Sequence, residues 1–427
     1  MTGEVSHLLV FLAGILVINS FLIALARSLK IADFIAHLLT GVALGFIVLG
    51  IESLEWTSRI KSWLGMDAGL PSFPGSPAIR FLAFLGLFLL LMDIGFTFDF
   101  KFFRRHRLSE APILLQSLML LGLNILGLGA VGYLMLKQIP EGQTTVLAIA
   151  AFIAALVSLN VGTVLTTNFP TVSALKKPFT NLVQVAVVLD VVALVEFALL
   201  HFVAGPVISP AEALAQSLVP LLIVGACLVL MLFPPITRRG FALLEKWIGE
   251  YTLPLKIALV LLFVYGAFQL FGDALALLPL IGFGAGVLMR VLSGNRHLEV
   301  RRQFFPVASF FYMLPFVYVG YGLVRSWAPG EMFWPTLDFT LLALALISLV
   351  FGFFVLRRGE YPILLSFAVF PRGELAVLLL WLAQELGWFP AGFFSAAVAA
   401  VVVSSLIGRV LFIWPLEAQP MIQDQEM

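Results

Sequence analysis

Five charged residues lie inside long apolar stretches of the sequence: Asp93, Asp190, Glu196, Arg372 and Glu374. A charged side chain at the centre of a bilayer costs about 2.5–3.5 kcal/mol on insertion scales, so each one needs a partner or a function. Asp190, in VAVVLDVVALVEF, is the leading candidate for a function. A buried carboxylate must be neutralised by a proton or by a cation, and this competition suits coupled ion transport. The alternative is a carboxylate that only hydrogen-bonds to a neighbouring helix.

The two remaining isolated carboxylates are secondary candidates. Glu196 follows Asp190 by six residues, which places it about 240° around the helix and off the face of Asp190. This offset favours a packing or interface role over a shared site. Asp93, in LLLMDIGF, precedes Gly95 in a dense Leu and Phe run, where we favour an interhelical hydrogen bond.

Two apolar stretches also contain residues that interrupt helices. The segment from Asn160 to Thr163 combines a glycine with polar side chains that compete for backbone hydrogen bonds. Pro371 lacks an N–H group, and Gly373, two residues later, gives the backbone more conformational freedom. Broken helices at membrane depth are tolerated only where they line protein or a cavity, and their ends bind ions. A pair of ordinary glycine and proline kinks is the alternative.

The composition limits the class of protein that these residues can serve. Of the 427 residues, 61% are hydrophobic and only 11% are charged, whereas soluble domains are about 25% charged. This excludes a soluble enzyme and indicates an all-α polytopic membrane protein surrounded by lipid. The net charge of +1 gives no indication of a nucleic-acid partner. The single Cys227 and five scattered histidines indicate no disulfide, metal centre or other cofactor.

The apolar runs divide the chain into about thirteen transmembrane helices, since a span needs ~20 apolar residues. The interrupted spans are the fifth and the twelfth, and an offset of seven gives them opposite orientations, as in an inverted-repeat secondary transporter. We expect a single transmembrane domain over 1–427, with a retained first helix, an irregular surface loop over 51–77 and no soluble regulatory domain. The predicted spans are 7–27, 31–50, 78–100, 109–136, 143–167, 179–204, 211–234, 252–272, 274–292, 304–326, 336–356, 361–386 and 390–415.

The distribution of Lys and Arg predicts the orientation, because positive residues near span ends remain in the cytoplasm. The loops of one side carry most of them, from Arg27 to Arg358. The loops of the other side carry Arg59, Lys61, Arg80, Lys137 and Arg325. This places the N-terminus outside and the C-terminus in the cytoplasm, and we expect the cell (inner) membrane.

Several segments together resemble the cation/proton antiporter superfamily, nearest its second monovalent cation:proton antiporter family. The stretch NVGTVLTTNFPTVSALKKPFTNLVQVAVVLDVV is similar to the family's crossover helix, cytoplasmic hairpin and ion-binding helix. FPRGELAVLLL, followed by ELGWFPAGFFSAAVAAVVVSSLIG, is similar to its second crossover helix, whose Arg-Gly-Glu run is a specific signature. The resemblance covers nearly the whole chain.

The resemblance implies a thirteen-helix inverted-repeat antiporter, usually a homodimer, in which core helices move in an elevator-like manner. The core helices would lie around 109–204 and 336–415, and the interface helices around 7–100 and 211–326. The transported ions would be a proton and a monovalent cation, sodium or potassium.

The resemblance also implies roles for single residues. Asp190 takes the place of the family's essential aspartate, which binds a cation or protons, and Asn160 and Thr163 would lie beside it at the broken-helix crossing. Arg372 and Glu374 fall on the Arg-Gly-Glu run, which is expected to balance helix-end dipoles and hold the core together. We expect Arg372→Ala to lower yield and thermal stability before it changes the apparent cation affinity.

Two departures from the family pattern bear on the stoichiometry. Electrogenic members have a second acidic residue directly before the essential aspartate, where this chain has Leu189. They also have a lysine in the tenth span, which FFPVASFFYMLPFVYVGYG lacks. We therefore expect electroneutral exchange of one proton for one monovalent cation.

Three other functions remain as alternatives. One is a potassium efflux pathway controlled by a partner subunit, and another is a transport-inactive sensor of the same fold, suggested by Leu189. The third is an intramembrane aspartyl protease that pairs Asp93 with Asp190. It is disfavoured because the flanking residues do not resemble such enzymes, and because it gives no account of the broken spans.

Overall fold

A computed structural model describes most of the chain. The described residues are 2–29, 31–53, 77–97, 111–137, 142–159, 176–204, 222, 252–271, 275–293, 297–325, 331–355 and 368–417. They form twelve α-helices and one 3-10 turn, Leu275–Leu277, which precedes α8. The helices are α1 (Thr2–Ser28), α2 (Asp33–Ser53), α3 (Pro77–Thr97), α4 (Ala111–Leu136), α5 (Gly142–Val157), α6 (Lys176–Ala204), α7 (Thr252–Phe271), α8 (Leu278–Ser293), α9 (His297–Arg325), α10 (Phe333–Val355), α11 (Glu374–Glu385) and α12 (Ala391–Glu417).

The predicted all-helical membrane architecture is confirmed, and each α-helix coincides with one predicted span. The seventh predicted span, 211–234, and most of the predicted loop 51–77 lie outside the described residues. Of the described helices, seven are long and apolar enough to cross a membrane: α2, α3, α4, α6, α8 with its 3-10 turn, α10 and α12. Shorter apolar stretches occur in α1, α5 and α7. The protein is an integral membrane protein.

Two predicted spans are longer than the helices found in their place. The fifth was predicted to continue to residue 167, but α5 ends at Val157 and the next two residues are not helical. The twelfth was predicted to begin at residue 361, but residues 368–373 are not helical and α11 begins at Glu374. The sequence predicted an interruption near each of these ends, from Asn160 to Thr163 and at Pro371 and Gly373. The predicted spans ran past the helix ends because apolar residues such as Leu159 and Phe370 continue beyond the helices.

The chain divides into two compact units, and three of the four segment ends of the second unit, Phe81, Ala198 and Pro315, fall inside helices. The first comprises Met1–Arg80, Leu108–Phe197 and Phe316–Met427, and the second comprises Phe81–Arg107 and Ala198–Pro315. In the first unit, α4 packs against α5 and α10, α12 packs against α10 and α11, and α11 packs against α5. In the second unit, α7 packs against α8.

Within the first unit, α2 and α9 cross at two reciprocal glycines. A Cβ atom on Gly41 would strike the carbonyl oxygen of Val317, and a Cβ atom on Gly320 would strike the carbonyl oxygen of Leu38. Small residues let helix backbones approach closely in membranes, where association depends on van der Waals packing. The two glycines therefore allow a contact that a larger residue at either position would prevent.

The core of the second unit is built from apolar side chains of α3, α7, α8 and α9. It includes Phe96, Phe263, Leu288 and Val300. At the end of α3, Arg290 donates to the carbonyl oxygens of Phe96 and Thr97, both at 2.9 Å. A cation at a helix C-terminus is stabilised by the helix dipole, so this contact holds α8 against the end of α3.

Candidate ion-binding site

Two interrupted helices meet in the first unit. The extended residue Leu159, just after α5, forms an isolated antiparallel bridge with Arg372, just before α11. The local sequence explains the second interruption, because Pro371 has no N–H group to continue a helix. Gly373 is the N-cap of α11 with φ −102° and ψ −174°, and it provides no side-chain cap. The C-terminal end of α5 and the N-terminal end of α11 are thus joined through backbone.

Asp190 lies on α6 and contacts the interrupted end of α5. Its Oδ1 atom accepts a hydrogen bond from the Ser158 hydroxyl at 2.7 Å, and its carboxylate also accepts from the backbone N–H of Leu159. Asp190 is half-buried, whereas Ser158 is buried. Asn160 and Thr163, predicted to lie beside Asp190, are outside the described residues. The carboxylate therefore faces backbone that a continuous helix would have used internally.

Arg372 is completely buried, and its described hydrogen bonds fix both its backbone and its side chain. Its Nη2 atom donates to Asn124 Oδ1 on α4 at 2.9 Å, and Nη1 makes a long contact of 3.5 Å with the carbonyl oxygen of Val157. Ser404 and Ser405 on α12 bond the backbone N–H and carbonyl of Arg372 at 3.3 and 2.5 Å. Because Val157 is the last residue of α5, the guanidinium lies at the negative end of that helix.

Glu374 occupies the opposite kind of helix end. It is the first residue of α11, where a carboxylate interacts favourably with the positive end of the helix. It is also close enough to Asp190 for the two carboxylates to interact electrostatically. Among the described residues, the Arg372 guanidinium contacts carbonyl oxygens and no carboxylate. The two charges of the Arg-Gly-Glu run therefore serve different helix ends.

Gly408 on α12 leaves space for the ring of Pro371, which lies in the non-helical segment before α11. A Cβ atom on Gly408 would lie 2.2 Å from Cγ of Pro371. The proline ring is rigid and cannot move aside, so any side chain at position 408 would displace the segment that carries Arg372. Gly408 and the neighbouring serines of α12 thus position the non-helical backbone before α11.

Sequence reasoning missed several polar residues of this site, all of them buried: Ser158, Asn124, Ser404 and Ser405. Each had a weak signal. Ser158 lies two residues before the predicted break, Asn124 is the polar residue in LGLNILGLGA, and the two serines are adjacent in AVVVSSLIG. Small polar residues are common in membrane helices, however, so these signals do not separate a site from ordinary helix packing.

The two secondary candidates have different surroundings. Asp93 belongs to the second unit, where its Oδ1 atom lies 3.6 Å from Nη2 of Arg301 on α9. The nearby Tyr312 hydroxyl is buried and has no hydrogen-bond partner among the described residues. Glu196 is half-buried on α6, and no hydrogen bond or ion pair joins it to the described part of the chain. Neither residue is a hydrogen-bond partner of Asp190.

A carboxylate held at the meeting point of two interrupted helices, inside a helical membrane protein, defines a secondary transporter with broken crossing helices. Residues 14–417 match the family described as "Sodium/hydrogen exchanger, transmembrane". The chain therefore belongs to the sodium/hydrogen exchanger family, within the cation/proton antiporter superfamily that its motifs resemble.

Comparison with solved structures supports the same fold. The structure of the sodium proton antiporter MjNhaP1 from Methanocaldococcus jannaschii at pH 8 is similar, with a TM-score of 0.57 and 18% sequence identity. The match covers 95% of this chain and 100% of that chain. No curated protein matches the sequence.

Proposed function

We propose that this protein exchanges a monovalent cation, sodium or potassium, for protons by alternating access at Asp190. The observation that carries the proposal is the contact of the Asp190 carboxylate with Ser158 and Leu159, where α5 is interrupted. An ionised carboxylate inside a membrane needs compensating charge. A proton and a bound cation are two ways to supply it, and they exclude one another at a single carboxylate.

Coupling follows from the free energy of the uncompensated charge. A protonated Asp190 is neutral and can cross with the moving core, and an ionised Asp190 can cross when a cation is bound. An empty, ionised Asp190 would cross at a high cost in free energy. The site therefore moves loaded with one ion or the other, and neither ion is transported without the opposite movement of its competitor.

Oxygen atoms near Asp190 can complete the cation site. Ser158 can donate to the carboxylate in one state and turn its oxygen lone pairs towards a cation in another, because a hydroxyl is both donor and acceptor. Backbone carbonyls freed by the break are further ligands of the kind that hard cations prefer. We include Asn160 and Thr163 in this site on the strength of the sequence.

The proposed exchange is electroneutral. The residue before Asp190 is Leu189, which is completely buried and offers no charge or hydrogen bond from its side chain. A single carboxylate that alternates between one proton and one monovalent cation moves no net charge per cycle. Glu374 is not counted as a second exchanging group, because the N-terminus of α11 already stabilises its charge.

The remaining parts of the proposal come from the sequence and the family. We propose a homodimer in the cell (inner) membrane, with the N-terminus outside and the C-terminus in the cytoplasm. The helices around 109–204 and 336–415 would move against those around 7–100 and 211–326. The ligands would be lipid and the two exchanged ions.

The test is a flux assay with purified protein in liposomes that contain a pH-sensitive dye. Sodium, potassium and lithium are added in turn to the wild type and to Asp190→Asn, with and without an ionophore that clamps the membrane potential. We expect a cation pulse to dissipate the pH gradient in the wild type alone, at a rate that the clamp does not change. Asp190→Asn should be inactive although it folds, because its side chain cannot be ionised.

Other outcomes would redirect the proposal. Wild-type activity in Asp190→Asn would remove Asp190 from the mechanism. A rate that depends on the clamp would contradict electroneutrality, and potassium movement without proton movement would indicate an efflux pathway. If the wild type responds to no cation, a transport-inactive sensor becomes the better description.

A further inference from the structure

A second buried polar residue is connected to the ion site through Arg372. Asn124 lies on α4 with no exposed surface, in a helix that is otherwise almost entirely apolar. Burying an amide in an apolar environment without hydrogen bonds costs free energy, so its partners explain why it is tolerated. Those partners are Leu120 in its own helix and Arg372 in the segment before α11.

The hydrogen bonds determine how the Asn124 amide is oriented. Its Nδ2 atom donates to the carbonyl oxygen of Leu120 at 2.8 Å, and its Oδ1 atom accepts from Nη2 of Arg372 at 2.9 Å. A flipped amide would place two donors against each other and an oxygen against a carbonyl oxygen. Asn124 therefore presents a fixed acceptor to the guanidinium.

Arg372 depends on this acceptor. Its guanidinium has one other hydrogen bond among the described residues, the long 3.5 Å contact with Val157, and its Nε atom is buried without a partner in that part of the chain. A buried charged donor that loses an acceptor is strongly destabilised in its position. Without Asn124 the guanidinium would have to turn towards other oxygens, and its contact with the end of α5 would be lost.

The end of α5 is also where Asp190 is held. Val157 is followed directly by Ser158, whose hydroxyl donates to Asp190, and the backbone of Arg372 is bridged to Leu159. A displaced guanidinium would therefore change the position of the group that bonds the carboxylate.

From these contacts we propose that Asn124 is a positioning residue for cation binding, which acts through Arg372 on the end of α5 that holds Asp190. This role rests on the function proposed above and goes further, because it gives Arg372 an effect on cation affinity in addition to support of the core. It also predicts that a residue which touches neither ion changes the affinity for one of them.

The experiment compares Asn124→Leu with a matched control, Asn19→Leu. Asn19 is also a buried asparagine of the first unit, 6% exposed on α1, and it accepts hydrogen bonds from His37 and Thr40. Both substitutions remove a buried amide, so both should lower the melting temperature in detergent. Asn124→Leu should raise the half-saturating cation concentration about tenfold, the size expected for one hydrogen bond to a charged group. Asn19→Leu should leave that concentration within about twofold of the wild type.

Two further variants separate positioning from general damage. Asn124→Asp keeps an acceptor for the guanidinium but loses the donor to the Leu120 carbonyl and adds a charge. Its half-saturating cation concentration should therefore lie closer to that of the wild type than that of Asn124→Leu does. Asn124→Ser is too short to reach the guanidinium, but its hydroxyl can bond the carbonyl of Leu120 within the helix. It should fold even if Asn124→Leu does not, and it should weaken cation binding in the same direction.

Binding is measured both as exchange in liposomes and as the rise in melting temperature that added sodium or potassium causes, since a ligand stabilises the state that binds it. The positioning role is overturned if both Asn124→Leu and Asn124→Ser melt earlier but bind cations as the wild type does. The proposed function would still stand in that case, provided that cations drive exchange in the wild type and not in Asp190→Asn. If the wild type shows neither exchange nor a cation-dependent rise, the proposed function fails and the positioning role fails with it.

Discussion

At the scale of single residues, the site depends on small polar groups that hydrogen-bond to one carboxylate. Ser158 is 1% exposed and donates to Asp190 at 2.7 Å, while the N–H of Leu159 approaches the same carboxylate. Hydrogen bonds to charged groups are stronger than those between neutral ones, particularly where water is scarce. The Ser158 hydroxyl therefore contributes to the free energy of every state in which Asp190 is ionised.

We predict that Ser158→Ala raises the half-saturating cation concentration by about 10- to 150-fold, because it removes a hydrogen bond to a charged group, worth about 1.5–3 kcal/mol. Ser158→Thr retains the hydroxyl and should restore most of the affinity. Both are measured by cation-driven proton flux in liposomes. The matched control is Ser348→Ala, since Ser348 is also 1% exposed but bonds only the Leu344 carbonyl of its own helix. An equal loss of affinity in the control would remove Ser158 from the site.

At the scale of helices, the arrangement is governed by where helices end and how closely they cross. The end of α5 is met by the cation Arg372 and the start of α11 by the anion Glu374, each opposite in charge to the helix end it meets. The crossing of α2 and α9 depends instead on shape, because Gly41 and Gly320 leave room for carbonyl oxygens of the other helix.

We predict that Gly320→Ala lowers the free energy of unfolding by about 1–3 kcal/mol, because its Cβ atom would strike the carbonyl oxygen of Leu38 and force the helices apart. Gly322→Ala, two residues later on α9, is the control, since an added Cβ atom there has no atom within 4 Å. It should leave stability unchanged or raise it by up to about 1 kcal/mol through helix propensity. Thermal melting in detergent measures both. Equal stability of the two variants would contradict the close crossing.

At the scale of the whole molecule, one ion pair joins a predicted interface helix to a predicted core helix. Arg80 at the start of α3 contacts Glu385 at the end of α11, with 2.7 Å between Nη2 and Oε2. Glu385 also accepts from Nε1 of Trp381 at 3.1 Å. A carboxylate at a helix C-terminus is unfavourable by itself, so the arginine stabilises it. If α11 moves with the core during transport, this pair must separate in each cycle.

We predict that Arg80→Gln raises the maximal exchange rate, by at most about fivefold, because partly exposed ion pairs contribute ~0–1 kcal/mol. Exchanging the two charges in the double variant Arg80→Glu with Glu385→Arg should return the rate towards that of the wild type. Arg27→Gln is the control, since it breaks an exposed pair with Asp33 between two predicted interface helices. The same acceleration in the control, or none in Arg80→Gln, would contradict separation of the pair during transport.

The sequence by itself determined the membrane class, the all-helical fold and the approximate position of each helix that the structure describes. It could do so because lipid solvation is a local property: a run of apolar residues long enough to span a bilayer must do so as a helix, whatever its neighbours are. The Arg-Gly-Glu run and the aspartate also indicated the cation/proton antiporter superfamily, which the match over residues 14–417 confirms. The role of Asp190 and the domain grouping remain predictions.

Only the tertiary structure decided where α5 and α11 end and which groups hold the charges there. Asn124 and Arg372 are 248 residues apart in the chain, and Ser158 and Asp190 are 32 apart. Such bonds depend on the direction of single side chains across helix interfaces, and hydropathy carries no information about that direction. The sequence indicated that these two spans are interrupted, but not the residue at which each helix ends, since the free backbone groups there are satisfied by partners distant in the sequence.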